Sequence, residues 1–115
     1  MVEREKIAIC RVQDLADPGS RGITLDTGHG TQEIFVVQKG NAVYGYLNHC
    51  PHTGVNLDWV PHQFLDPSGG FIQCATHGAL FRIEDGYCLR GPCAGDRLRP
   101  IELDIDQGEV FVMLS

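Results

Sequence analysis

The stretch that decides the reading runs from a strand into a cluster of metal-binding residue types. It is Ala42-Val43-Tyr44-Gly45-Tyr46-Leu47, followed by Asn48-His49-Cys50-Pro51-His52-Thr53-Gly54-Val55-Asn56. The first six residues are mostly apolar or aromatic and read as a strand. The next nine have no strand period and crowd Pro, Gly, His and Cys together. The same succession recurs downstream, where Gly70-Phe71-Ile72-Gln73 reads as a short strand and Cys74-Ala75-Thr76-His77-Gly78 follows it. Each half offers one thiol and one imidazole in a tight loop at a strand end. A glycine follows each histidine, at Gly54 and Gly78, and lets the backbone curl close to a ligand.

The flanking sequence predicts an all-β domain. Glu33-Ile34-Phe35-Val36-Val37 and the strand at Ala42 flank Lys39-Gly40-Asn41, a hairpin signal. Ile7-Ala8-Ile9-Cys10 reads as a first strand, Asp17-Pro18-Gly19-Ser20 as a turn and Gly22-Ile23-Thr24-Leu25 as a second strand. Asp26-Thr27-Gly28-His29-Gly30 then breaks it. Leu80-Phe81-Arg82-Ile83 and Tyr87-Cys88-Leu89 bracket Glu84-Asp85-Gly86, another hairpin signal. Near the C-terminus, alternation puts Ile101, Leu103 and Ile105 on one face of a half-buried antiparallel strand, with Glu102 and Asp104 opposite. The run from Glu109 to Leu114 is its expected pairing partner. No segment holds a helical period over three turns, although Asn56-Leu57-Asp58-Trp59-Val60 suits one short helical turn.

Length and composition bound the rest. At 115 residues the chain fits one domain, residues 1–115, and no linker or repeat divides it. The net charge of −6 and the lack of a basic stripe disfavour nucleic-acid binding, and an acidic surface suits a basic protein partner. No apolar run approaches the roughly 20 residues that cross a bilayer, so no membrane contact is expected. The charged start Met1-Val2-Glu3-Arg4-Glu5-Lys6 does not read as a signal peptide, and a cytoplasmic location is the expectation. Five cysteines, an odd number, argue against a disulfide scaffold.

Cys50, His52, Cys74 and His77 are the candidate metal ligands. Two cysteines and two histidines are a tetrahedral zinc set. They are equally the ligands of a [2Fe–2S] centre in which two His replace two Cys on one iron. Zinc fingers usually pair Cys with Cys and His with His. Here the order Cys-x-His and Cys-x-x-His divides the types between the halves, which suits a binuclear site.

Cys50-Pro51-His52, Cys74-Ala75-Thr76-His77-Gly78 and Gly91-Pro92 together resemble the Rieske domain pattern, and the resemblance covers nearly the whole chain. It implies an antiparallel β-sandwich with a cluster-binding tip made of two loops, about 48–56 and 74–80. It implies one [2Fe–2S] cluster, with Cys50 and Cys74 on the inner iron and His52 and His77 on the outer. Gly91-Pro92-Cys93 becomes a third loop over the tip. The 21 residues from 53 to 73 exceed the usual spacing, so Trp59 to Gly69 reads as an inserted loop. The ligand loops lack the additional cysteines that link them in respiratory Rieske subunits, which favours the ferredoxin branch.

The function so implied is one-electron transfer from a flavin-dependent reductase to a terminal oxygenase, with no catalysis and no small-molecule substrate of its own. The alternatives are a small subunit of a larger reductase, such as nitrite reductase, and a zinc-stabilised interaction module. Two neutral imidazoles in place of two thiolates leave the oxidised centre uncharged, which raises its potential to roughly −150 to +300 mV against about −400 mV for plant-type ferredoxins. Ala79 stands where high-potential relatives have Ser, and predicts the lower part of that range. Among the remaining residues, Cys10 reads as a small buried hydrophobe; Cys88 and Cys93 flank a turn, where the alternatives are a pair or, favoured in a reducing cytosol, two free thiols, and they are the first substitute ligands to test if the four-ligand assignment fails. His29 and His62 read as exposed loop residues, the motif makes no use of His49, and Trp59 reads as packing.

Overall fold

Ile34-Phe35-Val36-Val37, four apolar residues without alternation, run through the middle of the molecule, and all four have 0% exposure. A strand covered on both faces has this continuous apolar character. The computed structural model describes residues 5–26, 30–51, 57, 62–74, 78–91 and 94–113.

The chain enters through β1 (Lys6–Arg11) and a single 3₁₀ turn (Val12–Asp14). The elements β2 (Gly19–Asp26), β3 (Thr31–Lys39), β4 (Ala42–Leu47) and β8 (Pro100–Ile101) form a four-stranded antiparallel sheet in the order β2-β3-β4-β8. On one face of β3, Ile34 and Val36 pack with Val110 and Val112 of a sheet ordered β1-β10-β9, where β9 is Leu103–Asp106 and β10 is Glu109–Met113. On the other face, Phe35 and Val37 share a core with Ile72 and Phe81 of a sheet ordered β5-β6-β7. Those strands are β5 (Phe71–Gln73), β6 (Leu80–Arg82) and β7 (Cys88–Arg90). The all-β, antiparallel, stacked-sheet expectation is thus met. Among the described residues, no helix is long and apolar enough to cross a membrane.

The hairpin signals hold. Lys39 pairs with Ala42 across Gly40 and Asn41, both at positive φ (62° and 67°), as a tight two-residue turn requires. Asp17 closes this turn by accepting the Gly40 and Asn41 N–H groups at 2.9 and 3.0 Å. Tyr46 joins the layers. Its hydroxyl donates to the Ile83 carbonyl, and its ring lies where a Cβ on Gly86 would stand only 2.8 Å away.

Two expectations need correction. Gly19 and Ser20 are not turn residues, since they pair with Gln38 and Val37 and begin β2. Ladder pairing along β3 outweighs their turn propensity. The segment from Ile101 to Ile105 is not one strand. It breaks at Glu102, with Ile101 in the sheet of β4 and Leu103 onward in the sheet of β10. That switch of sheets leaves Ile105 46% exposed, so the simple two-face alternation fails. The inserted loop contributes to the core. Phe64 is fully buried and stacks on Phe35, with ring centroids 4.3 Å apart and planes 4° from parallel. Leu57 forms a bend, while Asn56 and Asp58 to Val60 of the expected helical turn lie outside the described residues, as do Trp59 and His29.

Candidate metal centre

The second motif loop is the connection of the β5–β6 hairpin. Gln73 and Leu80 form the last ladder pair. Beyond them Cys74 N–H donates to the Ala79 carbonyl at 2.9 Å, and Gly78 N–H donates back to the Cys74 carbonyl at 2.8 Å. Gly78 sits at φ 66°, where a side chain would be strained. These bonds close the loop at its base and set Cys74 in the core at 0% exposure.

The first motif loop leaves the end of β4. Leu47 N–H is held by the Arg99 carbonyl and Asn48 N–H by the Glu33 carbonyl, both at 2.9 Å. The buried Asn48 side chain then accepts the N–H of Leu57 at 2.8 Å, across the intervening loop. Between these anchors lies Cys50, 1% exposed. Cys50 and Cys74 belong to one buried cluster that also holds Leu57, Ala79 and Cys88. Two thiols brought from separate strand ends into one apolar, water-excluding core fit the thiolate side of a binuclear iron centre. His52 and His77 lie outside the described residues, as do Pro92 and Cys93.

Gly91, directly after β7, lies against the second motif loop. A Cβ on Gly91, at φ 110°, would stand 2.9 Å from both Cα and Cβ of Ala79. Only glycine lets β7 press against the base of the second motif loop there. Ala79, at 1% exposure, is therefore a packing surface in its own right.

Other residues fall elsewhere. Cys10 lies on β1 in the opposite core cluster with Val36 and Val110, and burial pushes its thiol above the ordinary value. It is the expected core filler. Cys88 is buried, and its Sγ lies 3.4 Å from the Arg90 carbonyl. His49 is exposed. His62 is exposed too, but it has a task. Its Nδ1 accepts the Gly22 N–H at 3.1 Å, and its carbonyl accepts the Ser20 hydroxyl at 2.7 Å. Ser20 Oγ in turn accepts the Phe64 N–H at 3.1 Å, so β2 pins the inserted loop. Asn48, Leu57 and Ser20 support the loops although none belongs to a metal-site motif in the sequence. Only Asn48, a polar residue ending an apolar strand, carried a signal.

Comparison with known proteins agrees with this geometry. A family model described as Rieske [2Fe-2S] domain matches residues 5–105. Among curated proteins none matches the chain. Solved structures do match. A ferredoxin of Sphingomonas yanoikuyae B1 has 21% identity and a TM-score of 0.75, over 96% of this chain and 100% of that one. The ferredoxin of carbazole 1,9a-dioxygenase from Nocardioides aromaticivorans IC177 has 21% identity and a TM-score of 0.72, over 96% and 98%. The terminal oxygenase of carbazole 1,9a-dioxygenase from Novosphingobium sp. KA1 has 18% identity and a TM-score of 0.78, over 96% of this chain but 30% of that one. At these identities the structures establish a shared fold. The family model spans most of the sequence, and the chain belongs to the Rieske [2Fe-2S] domain family, whose cofactor is one [2Fe–2S] cluster.

Proposed function

We propose that the chain is a Rieske-type ferredoxin, a single domain over residues 1–115 that carries one electron at a time from a flavin-dependent reductase to a terminal oxygenase. Cys50 and Cys74 hold the inner iron in this reading, and His52 and His77 the outer one. The observation that carries it is the meeting of Cys50 and Cys74 in one buried cluster at the ends of β4 and β5. When bound, the [2Fe–2S] cluster supplies one-electron redox chemistry at roughly −150 to +300 mV. The protein's part is to hold two thiolates away from water and to keep two imidazoles at the outer iron. The two ferredoxin neighbours are matched over nearly their whole length, which supports the ferredoxin reading. The oxygenase partner follows from the neighbour that serves carbazole 1,9a-dioxygenase. We assign the carrier to the cytoplasm, where an odd set of thiols stays reduced.

The test is an electron paramagnetic resonance spectrum of the dithionite-reduced protein, alongside metal and sulfide analysis. A mean g value typical of His-ligated clusters, with iron and acid-labile sulfide in equal amounts, supports the reading. A colourless protein holding one zinc overturns it. Cys50→Ser and Cys74→Ser are expected to abolish assembly, whereas His52→Ala and His77→Ala change the spectrum of the outer iron.

A further inference from the structure

The net charge of −6 suits a basic partner, yet its distribution points the other way. Residues 71–100 build the β5-β6-β7 layer and the approach to β8. They carry Arg82, Arg90, Arg97 and Arg99 against Glu84, Asp85 and Asp96, a net of +1. The remainder of the chain therefore carries −7. Glu102, Asp104, Asp106 and Glu109 lie on or beside β9 and β10, in the layer on the opposite face of β3. Segments 48–56, 74–80 and 91–95, which carry or adjoin the motif loops, contain no Asp or Glu at all. At their margin stand two exposed arginines, Arg90 directly before Gly91 and Arg99 at the base of the first motif loop, against one exposed carboxylate, Asp96 directly after Gly95.

The backbone beside Arg90 is shaped to present a side chain. Leu80 pairs with Arg90, but Phe81 pairs with Cys88, so Leu89 is the extra residue of a β-bulge. The bulge turns Cys88 into the core and leaves Leu89 44% exposed. Half-buried Leu80 lies alongside. An exposed leucine next to an arginine is the composition of a protein interface, and a bulge next to a functional loop is a device for aiming it.

We propose that Leu89 and Arg90 form a docking point beside the cluster tip, and that it takes a protein partner whose electron-exchange face carries carboxylates. The inference rests on the electron-carrier reading. At about 0.1 M salt, charges beyond roughly 10 Å are largely screened, so the margin of the tip outweighs the distant acidic layer. Steering of the encounter follows the local sign.

Stopped-flow oxidation of the reduced holoprotein tests this with two small complexes, hexacyanoferrate(III) and hexaammineruthenium(III). In each, one electron passes from the cluster to the oxidant and no bond forms or breaks. The rate with the anionic oxidant is expected to fall as salt is raised. Arg90→Ala lowers that rate about threefold at low salt. Arg11→Ala makes the same change in net charge on β1, and leaves the rate unchanged. An anionic-oxidant rate that rises with salt, or equal effects of the two variants, overturns the charge assignment. With reduced flavodoxin as an acidic protein donor of one electron, both Leu89→Ser and Arg90→Ala slow transfer, while Leu89→Ser leaves the small oxidants unaffected. Flavodoxin transfer unchanged by Leu89→Ser removes Leu89 from the docking point. Each variant is first shown to keep the His-ligated cluster spectrum. A parent protein lacking that spectrum refutes the carrier reading itself, whereas a normal spectrum with the wrong salt dependence refutes only the docking point.

Discussion

The Asn48 side-chain oxygen accepts the backbone N–H of Leu57 at 2.8 Å, and both residues are buried. This bond spans the loop that contains Cys50 and His52. Asn48 ties the end of β4 to Leu57, as a ladder pair ties strands elsewhere. Asn48→Ala leaves the Leu57 N–H buried without its acceptor, at a cost of about 1–3 kcal/mol. Chemical denaturation of parent and variant measures the loss, and iron is expected to leave the variant faster on incubation with a chelator.

Gly91 and Ala79 form the second contact on which the tip depends. Gly91→Ala places a Cβ 2.9 Å from Ala79 at a φ of 110°, so both overlap and backbone strain arise. The strain alone costs about 1–3 kcal/mol. Gly95→Ala is the matched control, since it shares a positive φ of 97° but meets nothing within 4 Å. Thermal melting is expected to show the larger drop for Gly91→Ala, accompanied by accelerated bleaching of the cluster.

Ser20 bridges β2 to the inserted loop through two hydrogen bonds, to the His62 carbonyl and from the Phe64 N–H. Ser20→Ala removes both, for about 1–2 kcal/mol in total. Hydrogen exchange at the Phe64 amide is expected to quicken, with little change at Ile72. Equal protection of the Phe64 amide in parent and variant would show that the stack on Phe35 alone holds the loop.

Stability at high pH reports on Tyr46. Burial, aided by Asp85, Tyr44 and Glu84, pushes its phenol well above the ordinary value of 10. The unfolded chain ionises first, so the contribution is fully present below about pH 10 and declines as pH rises through the folded value. Tyr46→Phe loses the hydrogen bond to Ile83, about 0.5–1.5 kcal/mol, and flattens that decline. Urea midpoints of both proteins between pH 8 and 11 make the comparison.

At low pH the matching group is Asp85. Hydrogen bonds from Arg82 and from the Tyr87 N–H hold its carboxyl at about 2. A depressed value means stability that is present above the ordinary carboxylate range and lost as pH falls toward 2. Asp85→Asn is expected to remove this part of the acid dependence, read as a smaller difference in urea midpoint between pH 5 and pH 2.5.

Much of the fold was legible because its signals are local. Gly40 and Asn41 announce a two-residue hairpin, since few other pairs accept positive φ at both positions. The run Ile34 to Val37 reads as a strand of that hairpin, and the structure shows it covered on both sides. Ser20 and Gly19 misled for the same reason. They carry turn propensity, and only the partner strand β3 reveals that they are paired. Ile105 misled because alternation presumes one sheet, and the chain changes sheets at Glu102.

The residues along the chain determined the chemistry: two thiols and two imidazoles in the order Cys-x-His and Cys-x-x-His, each pair at the end of a strand. That information is local, because donor type and spacing belong to the residues themselves. Only the tertiary structure decided what supports the thiols and which side chains are left at the surface. Asn48 reaching Leu57, Gly91 pressing on Ala79, Phe64 stacking on Phe35 and Leu89 turned outward each join or expose positions whose environment depends on distant strands. Packing and charge distribution are properties of the folded surface, and no window of the chain contains them.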